Sequence, residues 1–215
     1  MGTSYNIVLQ SDVSGKDAHI EAYKILQKVN QEMSTYIDDS LISKVNKADI
    51  GKWVKVSQDF LDVLSFATAL CKDTRGIYDV SIGKLVNLWG FGPDSVDKEP
   101  SAEELSYFSS QVGCNSIELD HLNLSIKKVK DVELDFSSIA KGFGVDKVYE
   151  FLIKQPYLNG FFIEIGGEIR STSLKSNDQP WKAGIINPIQ QEKLIYTFLS
   201  SDFNTFALAT SGDYR

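Results

Sequence analysis

The stretch from Leu134 to Asp146, LDFSSIAKGFGVD, brings an acid, hydroxyls and a cation close together in the sequence. The apolar residues before Asp135 predict a strand, and the residues from Ser138 onward predict a helix. Backbone N–H groups at a helix start have no partner within the helix and therefore bind anions. With Ser137 and Ser138 at the cap and Lys141 one turn in, the stretch predicts a phosphate site with a divalent metal nearby.

The same stretch is also compatible with an ordinary turn between a strand and a helix. In that interpretation Ser137 caps the helix, Asp135 lies near the positive end of the helix dipole and Lys141 is solvated. Taken alone, the segment favours this simpler interpretation.

Two glycine-bearing turns are further candidates for a ligand site. Gly166 and Gly167 precede Glu168, and the last residues of the sequence are Ser211-Gly212-Asp213-Tyr214-Arg215. Glycine permits a positive φ and a close approach of the backbone to a ligand. Taken singly, each turn is more typical of a β-bulge or a hairpin.

Several common site types are not supported by the sequence. The only histidines, His19 and His121, have no partner at metal-ligand spacing, and we interpret both as surface residues. The G-x-S-x-G, G-x-x-x-x-G-K-[ST] and G-x-G-x-x-G motifs are missing, which argues against a hydrolase elbow, a P-loop and a Rossmann site. A net charge of −7 without a basic stripe argues against a general nucleic-acid binder.

Helices dominate the first half of the 215 residues and strands the second half. One helix is predicted from about Asp17 to Met33, a second after the cap Ser57, a short third over Ser101–Gln111 and a fourth from Ser138 to about Lys154. The predicted strands are Ser4–Leu9, Ile117–Leu119, Leu122–Lys127, Val132–Asp135, Phe161–Ile165, Glu168–Ser173, Lys182–Ile186, Leu194–Leu199 and Phe206–Thr210. This order predicts an α+β fold with mixed or antiparallel sheets and flanking helices.

Three other features carry predictions. Residues 34–46 read as a polar loop, and residues 76–93, with glycines among apolar residues, are either a packed irregular loop or a wall for a flat ligand. Cys71 and Cys114 lack a metal-type spacing, and we expect both to be free thiols. No stretch is long and apolar enough to span a membrane.

Seven strings, taken in order, resemble the motif series of the ApbE family of FAD:protein FMN transferases. They are MGTSY, MSTYIDDSLISKVN, YDVSIGKLVNLWGFGP, LDFSSIAKGFGVDKV, IEIGGEIRS, WKAGIINP and ATSGDYR. The resemblance covers essentially the whole sequence. It implies an ApbE-like, T-fold-like architecture in a single domain over residues 1–215, with two subdomains, the smaller around residues 75–130, as the alternative.

The resemblance implies a bacterial enzyme that cleaves FAD and joins FMN by a phosphoester to a Thr or Ser of a partner flavoprotein, releasing AMP. It also implies Mg²⁺ as cofactor, a flavoprotein subunit of a membrane redox complex as acceptor, and a lipid-anchored location on the periplasmic side of the inner membrane. Aromatic residues would pack against the flat flavin rings, and metal and donors would position the phosphoryl group.

The resemblance assigns site residues by motif position. Those matching FAD-contacting positions are Met1, Tyr36, Ile77, Tyr78, Asp79, Asp135 and, less firmly, Lys141, while Ser138 matches a metal ligand that often acts through its backbone carbonyl. The Gly166-Gly167-Glu168 turn and the Ser211–Arg215 turn match active-site motifs without individual roles. No residue of the sequence is assigned as the general base.

Family members continue beyond the motif that ends at Arg215, into segments with a histidine and further metal ligands. Either the sequence is a fragment, truncated at both ends, or the protein has lost half of its metal site. We expect a fragment, one that binds FAD weakly and transfers FMN poorly when alone. Two alternatives to FMN transfer remain: an FAD pyrophosphatase giving FMN and AMP, and a non-catalytic flavin-binding protein.

Overall fold

A computed structural model describes residues 2–11, 14–93, 99–190, 192–203 and 205–212. Within these ranges, five of the six α-helices precede residue 112, and five of the nine strands follow residue 157. In chain order they are β1 (Tyr5–Ser11), α1 (Lys16–Met33), α2 (Leu41–Lys47), β2 (Trp53–Lys55), α3 (Gln58–Asp73), α4 (Gly83–Leu88), α5 (Ala102–Gln111), β3 (Ile117–Asp120), β4 (Ser125–Lys128), α6 (Ala140–Leu152), β5 (Leu158–Ile165), β6 (Glu168–Ser171), β7 (Lys182–Ile186), β8 (Leu194–Leu199) and β9 (Phe206–Leu208).

The chain divides into two compact units. The first unit contains residues 1–27 and 141–215, and the second contains residues 28–140. Every strand pairing in the named ladders of the described residues is antiparallel. The predicted α+β class with antiparallel sheets and helices is therefore confirmed.

The first unit is built on a sheet that joins both ends of the chain. Its strand order is β1-β5-β6-β9, and Tyr5 of β1 lies opposite Ile165 of β5. β7 and β8 form a separate hairpin. One face of α1 and one of α6 pack on β5, because their apolar residues recur at helical spacing; the buried cluster is Ala18, Ala22, Leu26, Val145, Val148, Leu152, Phe161, Ile163 and Ile165.

In the second unit, α3 contributes more buried residues than α2, α4 or α5. Ser57 caps α3, since its Oγ accepts from the Phe60 N–H at 3.0 Å, as predicted. The buried residues of α3 include Phe60, whose ring packs at 5.0 Å on that of Phe136. The small sheet of this unit has the order β2-β4-β3. Ser101 and Glu104 form the predicted capping box at the start of α5.

The prediction that both cysteines are free is wrong. Cys71, at the end of α3, forms a disulfide with Cys114, and their Cα atoms are 5.6 Å apart. The two residues are 43 positions apart in the sequence, so only the packing of the chain brings them together. The disulfide ties the end of α3 to the loop that follows α5.

Two segments that were predicted as loops contain short helices in the structure. Residues 34–46 contain most of α2, because Ser40 Oγ accepts from the Ser43 N–H at 3.1 Å and caps a short helix. Residues 76–93 contain α4, which begins at Gly83. A Cβ at Gly83 would lie 2.9 Å from Glu133, so this close approach requires glycine.

The segment Val132–Asp135 is not a strand of any named sheet. It makes one isolated parallel bridge, between Ile82 and Glu133. Apolar and polar residues alternate in this segment because Val132 and Leu134 are buried. The alternation does not arise from pairing with a neighbouring strand. Among the described residues, none of the helices is both long and apolar enough to cross a membrane.

Candidate functional site

Asp135 closes a tight turn ahead of α6. Its Oδ1 accepts a hydrogen bond from the Ser137 N–H at 2.7 Å and a second, short one from the Ser137 hydroxyl. The N–H groups of Ile139 and Ala140 donate to the Phe136 carbonyl at 3.0 and 2.7 Å. Ser137 is not the cap of the helix, because α6 begins only at Ala140 and Ser137 belongs to the turn that Asp135 closes.

The Asp135 carboxylate is buried but retains one oxygen for another contact. The residue is 8% exposed, and among the described residues no hydrogen bond reaches Oδ2. Its backbone N–H donates to the Val80 carbonyl at 2.8 Å, which fixes the main chain. A buried carboxylate oxygen of this kind accepts strong hydrogen bonds from ligand hydroxyls.

A cavity of about 340 Å³ in the second unit contains two of the predicted ligand residues. We name it the Tyr36 cavity. Its lining residues are Thr35, Tyr36, Asp38, Ser43, Asn46, Lys47, Gly83, Asn87, Pro93, Glu133, Leu134 and Asp135. Tyr36 is 70% exposed, and its hydroxyl donates to the Phe91 carbonyl at 3.0 Å, which leaves the ring open to a flat ligand.

The predicted stretch Ile77, Tyr78 and Asp79 lies on the loop after α3. The hydroxyls of Tyr78 and Ser138 are 3.1 Å apart, so the structure joins two predicted site motifs here. Asp79 Oδ1 accepts from the Ser81 N–H at 2.8 Å. Ile77, which is 92% exposed, and Asp79 line another cavity, of about 470 Å³, together with Cys114.

Lys141 belongs to the first unit, where its ammonium binds the turn between β5 and β6. Lys141 Nζ lies 3.0 Å from Glu168 Oε2 in an ion pair and donates to the Gly166 carbonyl at 3.3 Å. The interpretation of Lys141 as a solvated residue is therefore wrong. The positive φ of Gly166 and Gly167, 58° and 102°, gives the turn a shape that other residues adopt only with strain.

A cavity of about 380 Å³ in the first unit adjoins this turn. We name it the Lys141 cavity, and its lining residues are Lys141, Glu164, Gly166, Gly167, Ile169, Gly184, Ile185, Ile186, Leu208, Thr210, Ser211 and Gly212. Thr210 Oγ1 donates to the Gly167 carbonyl at 3.2 Å. Gly166 and Gly167 of one predicted turn and Ser211 and Gly212 of the other therefore line one cavity.

The structure thus groups most of the predicted site residues by unit. In the second unit Tyr36 shares a cavity with Asp135, and Tyr78 contacts Ser138. Met1 and residues 213–215 lie outside the described residues. One cavity residue that the sequence predictions missed is Asn46, which falls within the expected polar loop. No local signal distinguishes it, because its partners lie near residue 134.

The residues around Asp135 and Ser138 offer oxygen donors alone, which is the donor chemistry that Mg²⁺ prefers. Ser138 is an exposed residue of the turn ahead of α6. Within the described ranges, no group of three or more His, Cys, Asp or Glu side chains is placed to hold a metal ion. Ser138 itself offers oxygen atoms, the ligand type that Mg²⁺ takes in proteins.

Comparison with known proteins finds similarity along the whole chain. The family model described as "ApbE family" matches residues 1–215. The chain is 39% identical over 226 aligned residues to the FAD:protein FMN transferase of Haemophilus influenzae, and 37% over 219 to that of Vibrio cholerae. Both alignments cover 100% of this chain and 64% of the relative, so the chain spans less than two thirds of those proteins.

Solved structures agree with the sequence comparison. The structure described as the flavin transferase ApbE from Vibrio cholerae matches with a TM-score of 0.87 at 36% identity, covering 100% of this chain and 70% of that one. The apbe protein from Thermotoga maritima matches with a TM-score of 0.87 at 27% identity, covering 99% of this chain and 68% of that one.

Proposed function

This chain belongs to the ApbE family, and from that premise we propose that the protein carrying it transfers FMN from FAD to a Thr or Ser hydroxyl of a flavoprotein. The observation that carries the proposal is the 39% identity, along the entire chain, to the FAD:protein FMN transferase of Haemophilus influenzae. The Tyr36 and Lys141 cavities, both lined by residues of the family motifs, support it.

The proposed reaction exchanges the phosphoanhydride bond between the FMN and AMP halves of FAD for a phosphoester bond to the acceptor. The acceptor hydroxyl oxygen forms a bond to the FMN phosphorus, the bridging P–O bond of FAD breaks, and AMP leaves with the electron pair while the hydroxyl proton passes to a base. Such transfer depends mainly on positioning and on neutralising charge. The family motifs contribute residues suited to both tasks.

In the second unit, residues around the Tyr36 cavity bind and orient FAD in this proposal. The exposed ring of Tyr36 packs against a flat ring system, and Asp135 Oδ2 accepts from a ligand hydroxyl. Asp79 and Tyr78 hold the adjoining loop through Ser81 and Ser138. In the first unit, Lys141 holds the Gly166–Glu168 turn through its contacts with Gly166 and Glu168.

We propose Mg²⁺ as the cofactor, with Ser138 among its ligands. When bound, it supplies charge neutralisation to the transferring phosphoryl group. Ser138 suits this role because it is exposed at the end of a turn that Asp135 holds rigid.

We propose that the acceptor is a flavoprotein subunit of a membrane redox complex and that the enzyme works on the periplasmic side, lipid-anchored. The Cys71–Cys114 disulfide supports export, because disulfides persist mainly in oxidising compartments. Recovery of the native protein in the periplasmic fraction with Cys71 and Cys114 oxidised tests the location, and a cytoplasmic protein with free thiols would contradict it.

The activity is tested with the protein, FAD, Mg²⁺ and a candidate acceptor flavoprotein. We expect the acceptor to gain the mass of an FMN group and to fluoresce after denaturing electrophoresis, with release of AMP. The matched control is an acceptor whose target Thr is replaced by Val, which should remain unmodified. Free FMN and AMP without any acceptor adduct would indicate an FAD pyrophosphatase, and stable FAD binding without products would indicate a non-catalytic flavin protein.

A further inference from the structure

The backbone of Leu134, next to Asp135, is held by a side chain instead of a neighbouring strand. The Asn46 Nδ2–H donates to the Leu134 carbonyl at 2.9 Å, and the Leu134 N–H donates to Asn46 Oδ1 at 2.7 Å. A carboxamide carries a donor and an acceptor on one planar edge, so it pairs with a peptide group as another peptide would. Asn46 thus replaces the strand that the segment lacks on this side.

The opposite side of the segment is held by main-chain bonds. The Asp135 N–H donates to the Val80 carbonyl at 2.8 Å, and the Gly83 N–H donates to the Glu133 carbonyl at 2.8 Å. Leu134 itself is 0% exposed. The backbone before the Asp135 side chain is therefore fixed from both sides, and Asn46 supplies one of them.

Asn46 is in turn fixed by a buried cation. Lys128 Nζ donates to the main-chain carbonyl of Asn46 at 2.6 Å, and Lys128 is 6% exposed. Burial lowers the pKa of Lys128, opposed mainly by the charge of Glu133. A buried ammonium is unfavourable unless it is hydrogen-bonded, so the contact with Asn46 constrains both residues.

We propose that Asn46 is a positioning residue that fixes the Asp135 carboxylate in the Tyr36 cavity by pairing with Leu134, and that Lys128 holds Asn46 for this task. The inference rests on the proposed role of Asp135 in binding FAD. Since Asn46 also lines the cavity, its role is distinguished from a direct contact by measuring the Leu134 backbone itself.

The test compares Asn46→Leu, which keeps the approximate shape but removes both hydrogen bonds, with Asn46→Gln, which keeps a carboxamide. Val45→Ala is the matched control, because Val45 is a buried residue of α2 that does not bond to Leu134. Amide hydrogen exchange followed by NMR reports on Leu134 and Asp135, and flavin fluorescence quenching reports on the Kd for FAD.

We expect exchange at Leu134 to be at least about tenfold faster in Asn46→Leu than in Val45→Ala, and the Kd for FAD to rise about tenfold, with partial recovery of both in Asn46→Gln. A purely structural role would give Val45→Ala and Asn46→Leu the same loss of affinity at matched stability, and that result would overturn the proposal. Unchanged protection of Leu134 in Asn46→Leu would also overturn it.

Failure of the proposed function gives a different pattern. If the wild-type protein does not bind FAD, the proposed function fails for every variant alike, whereas exchange at Leu134 and Asp135 still shows whether Asn46 holds the segment. If FAD binds and Asn46→Leu loses protection but keeps the wild-type Kd, the positioning role is wrong while the proposed function stands.

Discussion

At the scale of single residues, the two oxygens of the Asp135 carboxylate have different contacts. Oδ1 closes the turn through Ser137, and Oδ2 stays available to a ligand. Lys141 has a comparable role in the other unit, where it joins a turn carbonyl to the carboxylate of Glu168. Substitutions at these positions therefore affect local structure and binding together, and conservative changes separate the two.

For Asp135→Asn we expect FAD affinity to fall about tenfold while the fold persists. The amide oxygen still accepts from the Ser137 N–H, but it no longer offers a charged acceptor to a ligand hydroxyl. Flavin fluorescence quenching measures the affinity, and circular dichroism checks the fold. Asp62→Asn, at an exposed position of α3, is the control, and equal affinity in the two variants would refute the role of Asp135.

Lys141→Met should lower the free energy of unfolding by about 1–3 kcal/mol, because it leaves the largely buried Glu168 carboxylate without its ion pair. Adding Glu168→Gln should restore part of the loss, since the unpaired charge is then removed. Urea unfolding of both single variants and the double variant gives the coupling energy. Strict additivity of the two losses would contradict a direct interaction.

At the scale of elements, short segments hold the site in place. α2 has only seven residues, yet it presents Asn46 to Leu134 from its last turn. Ser40 begins that helix with a buried side chain that bonds to both the N–H and the hydroxyl of Ser43. A helix of this length depends on its cap and its packing rather than on intrinsic propensity.

Ser40→Ala should therefore destabilise the protein by about 1–2 kcal/mol, through loss of the cap. The exposed cap Ser101 offers a comparison: Ser101→Ala removes a similar bond on α5, which contributes no buried residue. We expect hydrogen exchange at residues 43–46 to rise in Ser40→Ala and to stay unchanged in Ser101→Ala. Unchanged exchange in both variants would rule out a stabilising role for the Ser40 cap.

Removing the disulfide with Cys71→Ala and Cys114→Ala together should lower the free energy of unfolding by roughly 4 kcal/mol, as expected for a cross-link between residues 43 positions apart. Urea unfolding with and without reductant measures it. Reductant should destabilise the wild-type protein and leave the double variant unaffected. If the wild-type protein kept the same free energy of unfolding after its disulfide had been completely reduced, the stabilising role would be contradicted.

Sequence patterns predicted the elements whose signals are local. The caps at Ser57 and at Ser101 with Glu104 are of this kind, since each is determined within four residues. The Cys71–Cys114 bond and the pairing of Asn46 with Leu134 were missed, because each depends on residues more than 40 positions away. The prediction of a strand at Val132–Asp135 was wrong for the same reason. Alternating apolar and polar residues indicate which side chains are buried, but the local sequence does not specify a second strand to pair with.

At the scale of the whole molecule, the protein has a net charge of −7, and its buried cation Lys128 is an exception to the usual exposure of lysine. Burial lowers the pKa of Lys128 in the folded state below its ordinary value of 10.5. Between these two pKa values the unfolded chain binds more protons than the folded protein. In that range, stability attributable to Lys128 therefore rises with pH.

We accordingly expect the free energy of unfolding of the wild-type protein to increase relative to that of Lys128→Met as the pH approaches 10.5. Below the folded pKa the difference between the two proteins should be constant. Urea unfolding of both proteins at a series of alkaline pH values measures the difference between their free energies of unfolding. Because the other titrating groups are present in both proteins, their contributions cancel in this difference. A difference that stays flat or falls with rising pH would show that Lys128 is not desolvated in the folded protein.

The pairing of β1 with β5 has a consequence for the order in which the chain folds during synthesis. β1 leaves the ribosome before its partner β5, whose last paired residue, Ile165, follows on the order of ten seconds later at typical elongation rates. The unit of residues 28–140 is complete before then and can fold on its own contacts. Until β5 has been synthesised, the backbone N–H and C=O groups of β1 lack their partner strand, and a chaperone could protect this exposed edge.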